Sequence, residues 1–227
     1  MPECCDLKSC FMCSSCLPDW IPAIAANKKN INLKKGQSLF QESDEVTGIY
    51  FVYSGALKVH KKWDQEKDII LRFAKTGDIV GHLGLGTHPV YPVSATAIEP
   101  ATICYVDMPF FESTLNVNNG LVIKLMRFFA NELQESENRM RNMAHMPVRE
   151  RIAQALLSLA EKFGVDENGV LKVQLTRQEL SSYSSTVYES LFRTINEFTG
   201  KGFVNFSGKE FQISNEQGLR DLVTNKL

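Results

Sequence analysis

The chain has 227 residues, of which 44 % are hydrophobic and 22 % are charged, as is ordinary for a folded globular protein. This composition excludes disorder over the whole chain, and no run approaches the roughly 18–20 consecutive apolar residues of a membrane span. The amino terminus lacks the apolar core of a signal peptide, so we expect a cytoplasmic protein with no membrane partner. The net charge of −1 makes no general case for nucleic-acid binding, so that function has to rest on a motif.

Five of the six cysteines fall within the first sixteen residues. They are Cys4, Cys5, Cys10, Cys13 and Cys16, and Cys104 stands alone far along the chain. In a reducing cytosol such a cluster favours a metal or redox site over a disulfide framework. The C-x2-C-x2-C spacing of Cys10, Cys13 and Cys16 suits an iron–sulfur cluster or zinc.

Residues 28–107 have the pattern of short strands. Stretches rich in β-branched and aromatic residues, such as 48–53, 56–60 and 69–73, are separated by turn signals such as Ser54-Gly55 and Trp63-Asp64. Many short strands at regular spacing predict an all-β barrel or jelly roll.

A helical pattern follows at residues 122–143, with apolar side chains close to heptad spacing. Packing of this helix on its own barrel is one interpretation. A helix of about twenty residues spans about 30 Å, which is too long for a small barrel to cover, and this favours a dimer seam. The seam residues would be Val122, Leu125, Met126, Phe129, Leu133 and Met140; the apolar pattern continues to Met143, before a hinge at Pro147.

The remainder of the chain predicts a winged helix-turn-helix. We expect a helix over 151–163, a short strand over 170–175, and helices over 177–183 and 186–199. A hairpin over 203–206 and 211–213, turning at Ser207-Gly208-Lys209, would close the unit. This order of parts is the winged form of the DNA-binding motif.

The whole arrangement resembles the CRP/FNR transcription regulators. The motifs KKGQSLF (34–40), GIYFVYSG (48–55) and TGDIVG (76–81) look like the family's sensor barrel. LTRQEL (175–180) followed by ESLFR (189–193) looks like its DNA-binding helices. The resemblance implies an α+β protein made of a double-stranded β-helix (jelly-roll) barrel of the cyclic-nucleotide-binding type, a long dimerisation helix and a winged helix-turn-helix.

We place the parts at residues 1–20 (cysteine-rich segment), 21–110 (sensor barrel), 111–146 (dimerisation helix) and 147–227 (DNA-binding domain). The resemblance implies a homodimer that binds a palindromic site in double-stranded DNA, with RNA polymerase as a further partner. The alternative is an effector-binding module that acts on a protein partner instead of DNA. The sequence contains neither the His-x-His pair of a cupin-type metal enzyme nor a motif for a Ser or Cys nucleophile. We therefore expect no enzymatic activity.

Glu189 and Arg193 are the candidate base-reading residues, because side chains four apart share one helix face. Arginine can donate two hydrogen bonds to guanine and glutamate can accept one from cytosine, and the resemblance implies these roles. Tyr188 flanks them, and like Phe192 it is placed to touch a thymine methyl or a sugar. The alternative is a helix-stabilising pair, with Thr186 and Glu189 forming a capping box.

Phosphate contacts, which carry no sequence information, are expected from the preceding helix and from the wing. The candidates are Thr176, Arg177 and Gln178, which open that helix, and Lys209 in the hairpin turn. Thr176 is also a natural N-cap, so the alternative is a plain cap with solvated neighbours.

A regulator of this kind responds to a signal, and two sites could sense it: a pocket in the barrel and the cysteines. In cyclic-nucleotide-binding members of the family, a Gly-Glu-Leu turn and a later arginine hold the ligand. Here His82 and Val93 occupy those positions, which argues against cyclic AMP. His82, Leu83 and Ser94 remain candidates for an effector pocket, and His82 is also the available axial ligand for haem.

FNR-type members hold a [4Fe–4S] cluster with three amino-terminal cysteines and one near the end of the barrel. The resemblance implies Cys10, Cys13, Cys16 and Cys104 as its ligands here, with Cys5, Cys10 and Cys16 as another amino-terminal set. Zinc, a thiol redox switch and a tail without a ligand are the alternatives. Cys104 also fits a small buried hydrophobic residue.

Overall fold

The computed structural model describes residues 6–62 and 68–224, so Cys4 and Cys5 lie outside the described residues. The chain divides into two compact units, Met1–Gln134 and Glu135–Leu227. Within the described ranges, no helix has the length and apolar character needed to cross a membrane.

The first unit is built on two antiparallel four-stranded sheets. Their strand orders are β1-β8-β3-β6 and β2-β7-β4-β5. The strands are β1 Lys29–Leu33, β2 Ser38–Phe40, β3 Gly48–Ser54, β4 Ala56–Lys62, β5 Asp68–Lys75, β6 Ile79–Val80, β7 Ser94–Ala97 and β8 Ala101–Asp107. This arrangement confirms the predicted jelly-roll barrel.

Strand β3 shows how the sequence produces two separate cores. Tyr50 and Val52 belong to the cluster inside the barrel, while Ile49 and Phe51 belong to the cluster between the barrel and the helices. Side chains alternate between the two faces of a strand, so an unbroken apolar run supplies both clusters. The inner cluster contains stacked aromatic rings, with the Phe40 and Tyr91 centroids 4.1 Å apart.

Helices cover the outer cluster. They are α1 Ile21–Asn27, α2 Met108–Val117 and α3 Asn119–His145, and 3₁₀ turns at Cys13–Ser15 and Pro18–Trp20 precede α1. The predicted dimerisation helix over 111–146 is therefore not one helix, because it breaks at Asn118. The buried Asn118 amide donates to the Thr114 carbonyl at 2.8 Å, and its Oδ1 accepts from the Leu17 N–H at 2.7 Å. The break is thus also the place where the amino-terminal segment attaches.

The second unit has the predicted order of helices and hairpin. Its elements are α4 Val148–Phe163, α5 Arg177–Tyr183, α6 Tyr188–Gly200, β9 Val204–Ser207, β10 Glu210–Ile213 and α7 Glu216–Thr224. The bounds of α5 agree with the prediction, whereas α7 was not predicted. The predicted strand over 170–175 is wrong, because only isolated bridges form there, between Val165 and Leu171 and between Val170 and Gln212.

Candidate nucleic-acid interface and cysteine site

Helix α5 begins with a complete capping box. The Glu179 N–H donates to the Thr176 hydroxyl at 3.1 Å, and the Glu179 carboxylate accepts from the Thr176 N–H at 2.9 Å. The hydroxyl of Thr176 is therefore engaged within the helix, as expected for a plain cap. Gln178, two residues further on, is exposed.

The turn between α5 and α6 is held by backbone contacts. Ser185 adopts a left-handed conformation, with φ of 52°, and its carbonyl accepts from the Arg151 guanidinium at 2.7 Å. The Thr186 N–H donates to the Ser181 carbonyl at 2.9 Å, so Thr186 belongs to the turn. The predicted helix start at Thr186 and its capping box with Glu189 are therefore wrong. Val187 is the N-cap of α6 and contributes no side-chain cap.

Helix α6 presents one polar and aromatic face to solvent. Glu189 and Arg193 are both exposed on it, next to Tyr188 and Phe192, which are 40 % and 44 % exposed. The structure shows no hydrogen bond or ion pair from the Glu189 or Arg193 side chain to any other described residue. Both charges therefore face solvent, and the two side chains do not form the helix-stabilising pair that was the alternative to base reading. The opposite face packs inward through Leu191, Thr194, Ile195 and Phe198.

Arg177, the first residue of α5, lies against two aromatic rings. Its guanidinium carbon is 4.2 Å from the Phe206 ring centroid and 5.5 Å from that of Phe192. Phe206 is on β9 of the wing and Phe192 is on α6, so the contact joins three elements. Lys209 is exposed at the tip of the hairpin.

The carboxyl-terminal end of α6 has a local ion-pair network. Glu197 Oε1 lies 2.8 Å from Lys201 Nζ and 3.3 Å from an Arg149 terminal nitrogen. The hydrogen bond from Lys201, with the Arg149 charge, lowers the pKa of the Glu197 carboxyl below its usual value. Lys201 is therefore engaged with Glu197.

Four cysteines converge from two distant parts of the sequence. Cys10, Cys13 and Cys104 are buried in the outer cluster, and Cys16 packs against it. None of the four forms a disulfide, and the Cys13 N–H donates to the Cys10 sulfur at 3.3 Å. Among residues 6–62 and 68–224, no three His, Cys, Asp or Glu side chains stand in an arrangement that would hold a metal ion. Four thiols are the type of donor that an iron–sulfur cluster or zinc takes, but within the described residues they are not arranged as metal ligands.

Lys124 on α3 is a positively charged residue that contacts the segment carrying Cys10, Cys13 and Cys16. Its ammonium donates to the Phe11 carbonyl at 3.0 Å and to the Ser14 hydroxyl at 2.8 Å, and it lies 4.6 Å from the Phe11 ring centroid. Burial, with Cys10 nearby, raises the pKa of the Cys16 thiol to about 11, and Lys124 acts in the opposite direction. Burial also lowers the pKa of Lys124.

The predicted effector residues do not form a common site through any contact among the described residues. His82 is 2 % exposed and meets the ring edges of Phe128 and Phe129 on α3, with centroids 4.8 and 5.5 Å away. Leu83 is 42 % exposed, whereas the Ser94 hydroxyl in the other sheet accepts from the Glu42 N–H at 2.9 Å. Burial, with the Arg72 charge, lowers the pKa of His82 to about 3, so its ring is neutral at physiological pH.

No sequence signal predicted the ion pair beside His82 that joins buried Arg72 to half-buried Glu132. Arg72 is 8 % exposed, its Nε lies 3.4 Å from Glu132 Oε2, and its guanidinium donates to the Ile79 carbonyl at 2.5 Å. Val93, at the position where the family's ligand-binding members carry arginine, is buried in the apolar inner cluster. The charge of Arg72 is therefore paired with that of Glu132. Val93 has no charge with which to bind a phosphate group.

The candidate seam divides into two sets. Met126, Leu133 and Met140 recur every seven residues and are 66 %, 61 % and 61 % exposed. Val122 is half-buried, Phe129 packs against the outer cluster, and Leu125 is 7 % exposed within it. Leu125 therefore packs in the core of its own unit, so its predicted place in the dimer seam is wrong. Ile123, missed by the heptad reading, is 50 % exposed on α3.

Comparison with known proteins agrees with both units. The profile of the cyclic nucleotide-binding domain matches residues 30–118, and that of the Crp-like helix-turn-helix domain matches residues 150–222. The transcriptional activator protein FnrA of Stutzerimonas stutzeri is 28 % identical over 223 residues, which cover 93 % of this chain and 90 % of FnrA. The CRP-like cAMP-activated global transcriptional regulator of Mycobacterium tuberculosis is 24 % identical over 204 residues, with 89 % and 91 % covered.

Among solved structures, FixK2 from Bradyrhizobium japonicum has the same fold. Its TM-score is 0.77 at 22 % identity, over 88 % of this chain and 99 % of FixK2. A barrel of this type followed by a helix-turn-helix defines a DNA-binding transcription regulator. The chain belongs to the CRP/FNR family of these regulators.

Proposed function

We propose that this regulator reads bases with Glu189 and Arg193 on α6, with Tyr188 beside them. The observation that carries the proposal is that both charged side chains are exposed on one face and make no described pairing with each other. In the major groove, arginine donates to guanine O6 and N7 and glutamate accepts from cytosine N4. Arg177, Gln178 and Lys209, together with the cap at Thr176, would contact phosphates and fix the register on the duplex.

The regulator would act as a homodimer on a palindromic site. The exposed apolar residues Met126, Leu133 and Met140 provide a heptad-spaced face for a second copy of α3. A two-fold dimer presents its recognition helices to half-sites about 34 Å apart, so the site mirrors the symmetry of the protein. A cytoplasmic location and contact with RNA polymerase are part of the same proposal, since the relative FnrA is named a transcriptional activator.

Arg193→Ala tests the base-reading role. The operator is first selected from random duplexes with the wild-type protein, and affinities are then measured at one fixed salt concentration on operator and on random DNA. Each lost bidentate contact costs about 1–3 kcal/mol of discrimination, so the operator preference should fall by roughly 5- to 150-fold per half-site. Glu161→Gln, a change at an exposed site on α4, is the control. An unchanged operator preference in Arg193→Ala would refute the assignment.

For the signal, the convergence of Cys10, Cys13 and Cys104 with Cys16 beside them supports a [4Fe–4S] site. When bound, such a cluster supplies iron–sulfur bonds that respond to oxygen and redox state. The chain contributes the four thiols, an apolar surround that limits water, and Lys124 as a nearby positive charge. Cyclic AMP is not the proposed effector, because Val93 is apolar and Arg72 is paired with Glu132.

The metal content of protein purified without oxygen tests this input. Roughly four irons with matching acid-labile sulfide per chain, both lost in Cys104→Ser, are expected. One zinc per chain and no iron would overturn the cluster proposal and would show that the cysteines form a structural zinc site instead. Protein that binds neither metal under these conditions would overturn the proposal.

A further inference from the structure

The Arg177 guanidinium is held by ring faces rather than by hydrogen bonds. Its central carbon is 4.2 Å from the Phe206 centroid and 5.5 Å from the Phe192 centroid, both within the roughly 6 Å range of cation–π contacts. No ion pair or hydrogen bond from the guanidinium to another described residue is present. The contacts with the rings restrain the guanidinium and use none of its N–H donors.

The Phe206 ring is itself well supported. Phe206 on β9 lies directly across from Phe211 on β10, and their ring centroids are 4.3 Å apart. Phe211 is 2 % exposed, so the platform under Arg177 rests on the core of the unit. Because a cross-strand aromatic pair has little freedom to move, Phe206 can restrict the position of the side chain stacked on it.

Phe192 gives the same arginine a second contact, from the recognition helix. It directly precedes Arg193 in α6 and is 44 % exposed. Arg177, Phe192 and Phe206 also line one small cavity of about 130 Å³. The stack therefore ties the first residue of α5 to both α6 and the wing.

We propose that Phe206, assisted by Phe192, is a positioning residue that holds Arg177 ready for a DNA phosphate. This inference rests on the phosphate role of Arg177 in the proposed function and adds how that role is achieved. An unrestrained arginine loses side-chain entropy when it binds, whereas a stacked one has lost most of it beforehand. Phosphate contacts carry no base information, so the stack strengthens binding to all duplexes and leaves sequence preference unchanged.

Phe206→Leu removes the ring face but keeps apolar cover over Phe211, and Phe206→Tyr, which retains the ring, is the matched control. Full-length protein is titrated onto operator and random duplexes over a series of salt concentrations. Each phosphate contact contributes about 0.9 to the slope of log affinity against log salt, which is about 1.8 for the two copies in a dimer. Phe206→Leu keeps the Arg177 charge but removes its restraint, so it should weaken binding to both duplexes by the same factor at every salt concentration, whereas Phe206→Tyr should match wild type.

Arg177→Ala separates the two possible failures. If its salt slope equals that of wild type, the phosphate role in the proposed function is wrong. If Arg177→Ala lowers the slope while Phe206→Leu binds both duplexes as tightly as wild type at every salt concentration, the positioning role is overturned and the phosphate role stands. Equal losses in Phe206→Leu and Phe206→Tyr would also overturn it, because the ring face would then not be the cause.

NMR spectra of the DNA-free protein test the contact between Arg177 and Phe206 directly, so a folding defect in a variant cannot be mistaken for loss of the positioning role. Protons on the Arg177 side chain lie over the Phe206 ring and should show upfield ring-current shifts in NMR spectra of wild type and of Phe206→Tyr. Phe192→Leu should retain most of the shift, because the Phe206 contact is the shorter one. Random-coil shifts for Arg177 in wild type would contradict the proposal.

Discussion

The Nε of Arg72 lies 3.4 Å from Oε2 of Glu132, which joins strand β5 of the barrel to helix α3. The arginine is 8 % exposed, and its guanidinium carbon also lies 5.6 Å from the Phe128 ring centroid on the same helix. A buried guanidinium without a counter-ion is strongly unfavourable, so this pair fixes where α3 rests on the barrel.

Glu132→Ala should lower the free energy of unfolding by about 3 kcal/mol, because it leaves the buried Arg72 charge without its carboxylate. Denaturant unfolding measures the loss. Since Glu132 has further interactions, a double-mutant cycle with Arg72→Met isolates the pair. A coupling energy indistinguishable from zero would show that the two groups act separately.

His82 should make stability depend on pH. Burial lowers its folded-state pKa to about 3, below the unfolded value of about 6.5, so the unfolded chain takes up the proton first as pH falls. The stability is therefore complete above about pH 6.5 and is lost toward pH 3, with a slope of at most about 1.4 kcal/mol per pH unit. His82→Phe should remove this part of the slope, whereas His145→Gln, at an exposed site, should leave it unchanged. Identical pH profiles for wild type and His82→Phe would contradict the assignment.

Lys124→Met should loosen the cysteine-bearing segment, because it removes the hydrogen bonds to the Phe11 carbonyl and the Ser14 hydroxyl. Hydrogen exchange should speed up over residues 10–17, and the buried Cys10 and Cys13 thiols should be alkylated several-fold faster in metal-free protein. Lys124→Arg keeps the charge and should show a smaller effect. Unchanged exchange and alkylation rates in Lys124→Met would show that the other contacts hold the segment alone.

Leu133→Glu should weaken the dimer at least tenfold, since it places an unpaired charge in the proposed seam at a site that is 61 % exposed in the single chain. Sedimentation at a series of concentrations gives the dissociation constant. Asn131→Glu adds the same charge at an exposed position on another face of α3 and should leave the constant unchanged. Equal dimerisation of both variants would place the interface elsewhere.

The parts that depend on local pattern were predictable from sequence. Helix α5 has the predicted bounds and begins directly after Thr176, which its sequence position marks as an N-cap. The strands of the barrel followed from their β-branched runs and turns. The spacing of Glu189 and Arg193 placed both residues on one face of α6, and the structure shows both of them exposed.

Contacts between distant parts of the chain were not predictable in this way. Lys124 and Phe11 are 113 residues apart in sequence, and no periodic signal links them. The heptad pattern of α3 also has two meanings, because one apolar stripe both packs on the barrel at Leu125 and faces solvent at Leu133. The break at Asn118 did leave a signal, since Asn118-Asn119-Gly120 is a run of turn-forming residues.

That break gives α3 the properties of a lever. The helix has 27 residues and is about 40 Å long, so a tilt of about 5° at its first turn moves its far end by about 3.5 Å. This displacement is about the rise of one base pair along DNA. Because Leu17 binds Asn118 and Lys124 binds Phe11, the cysteine-bearing segment is attached at the near end of this helix, where a given change of angle moves the far end most.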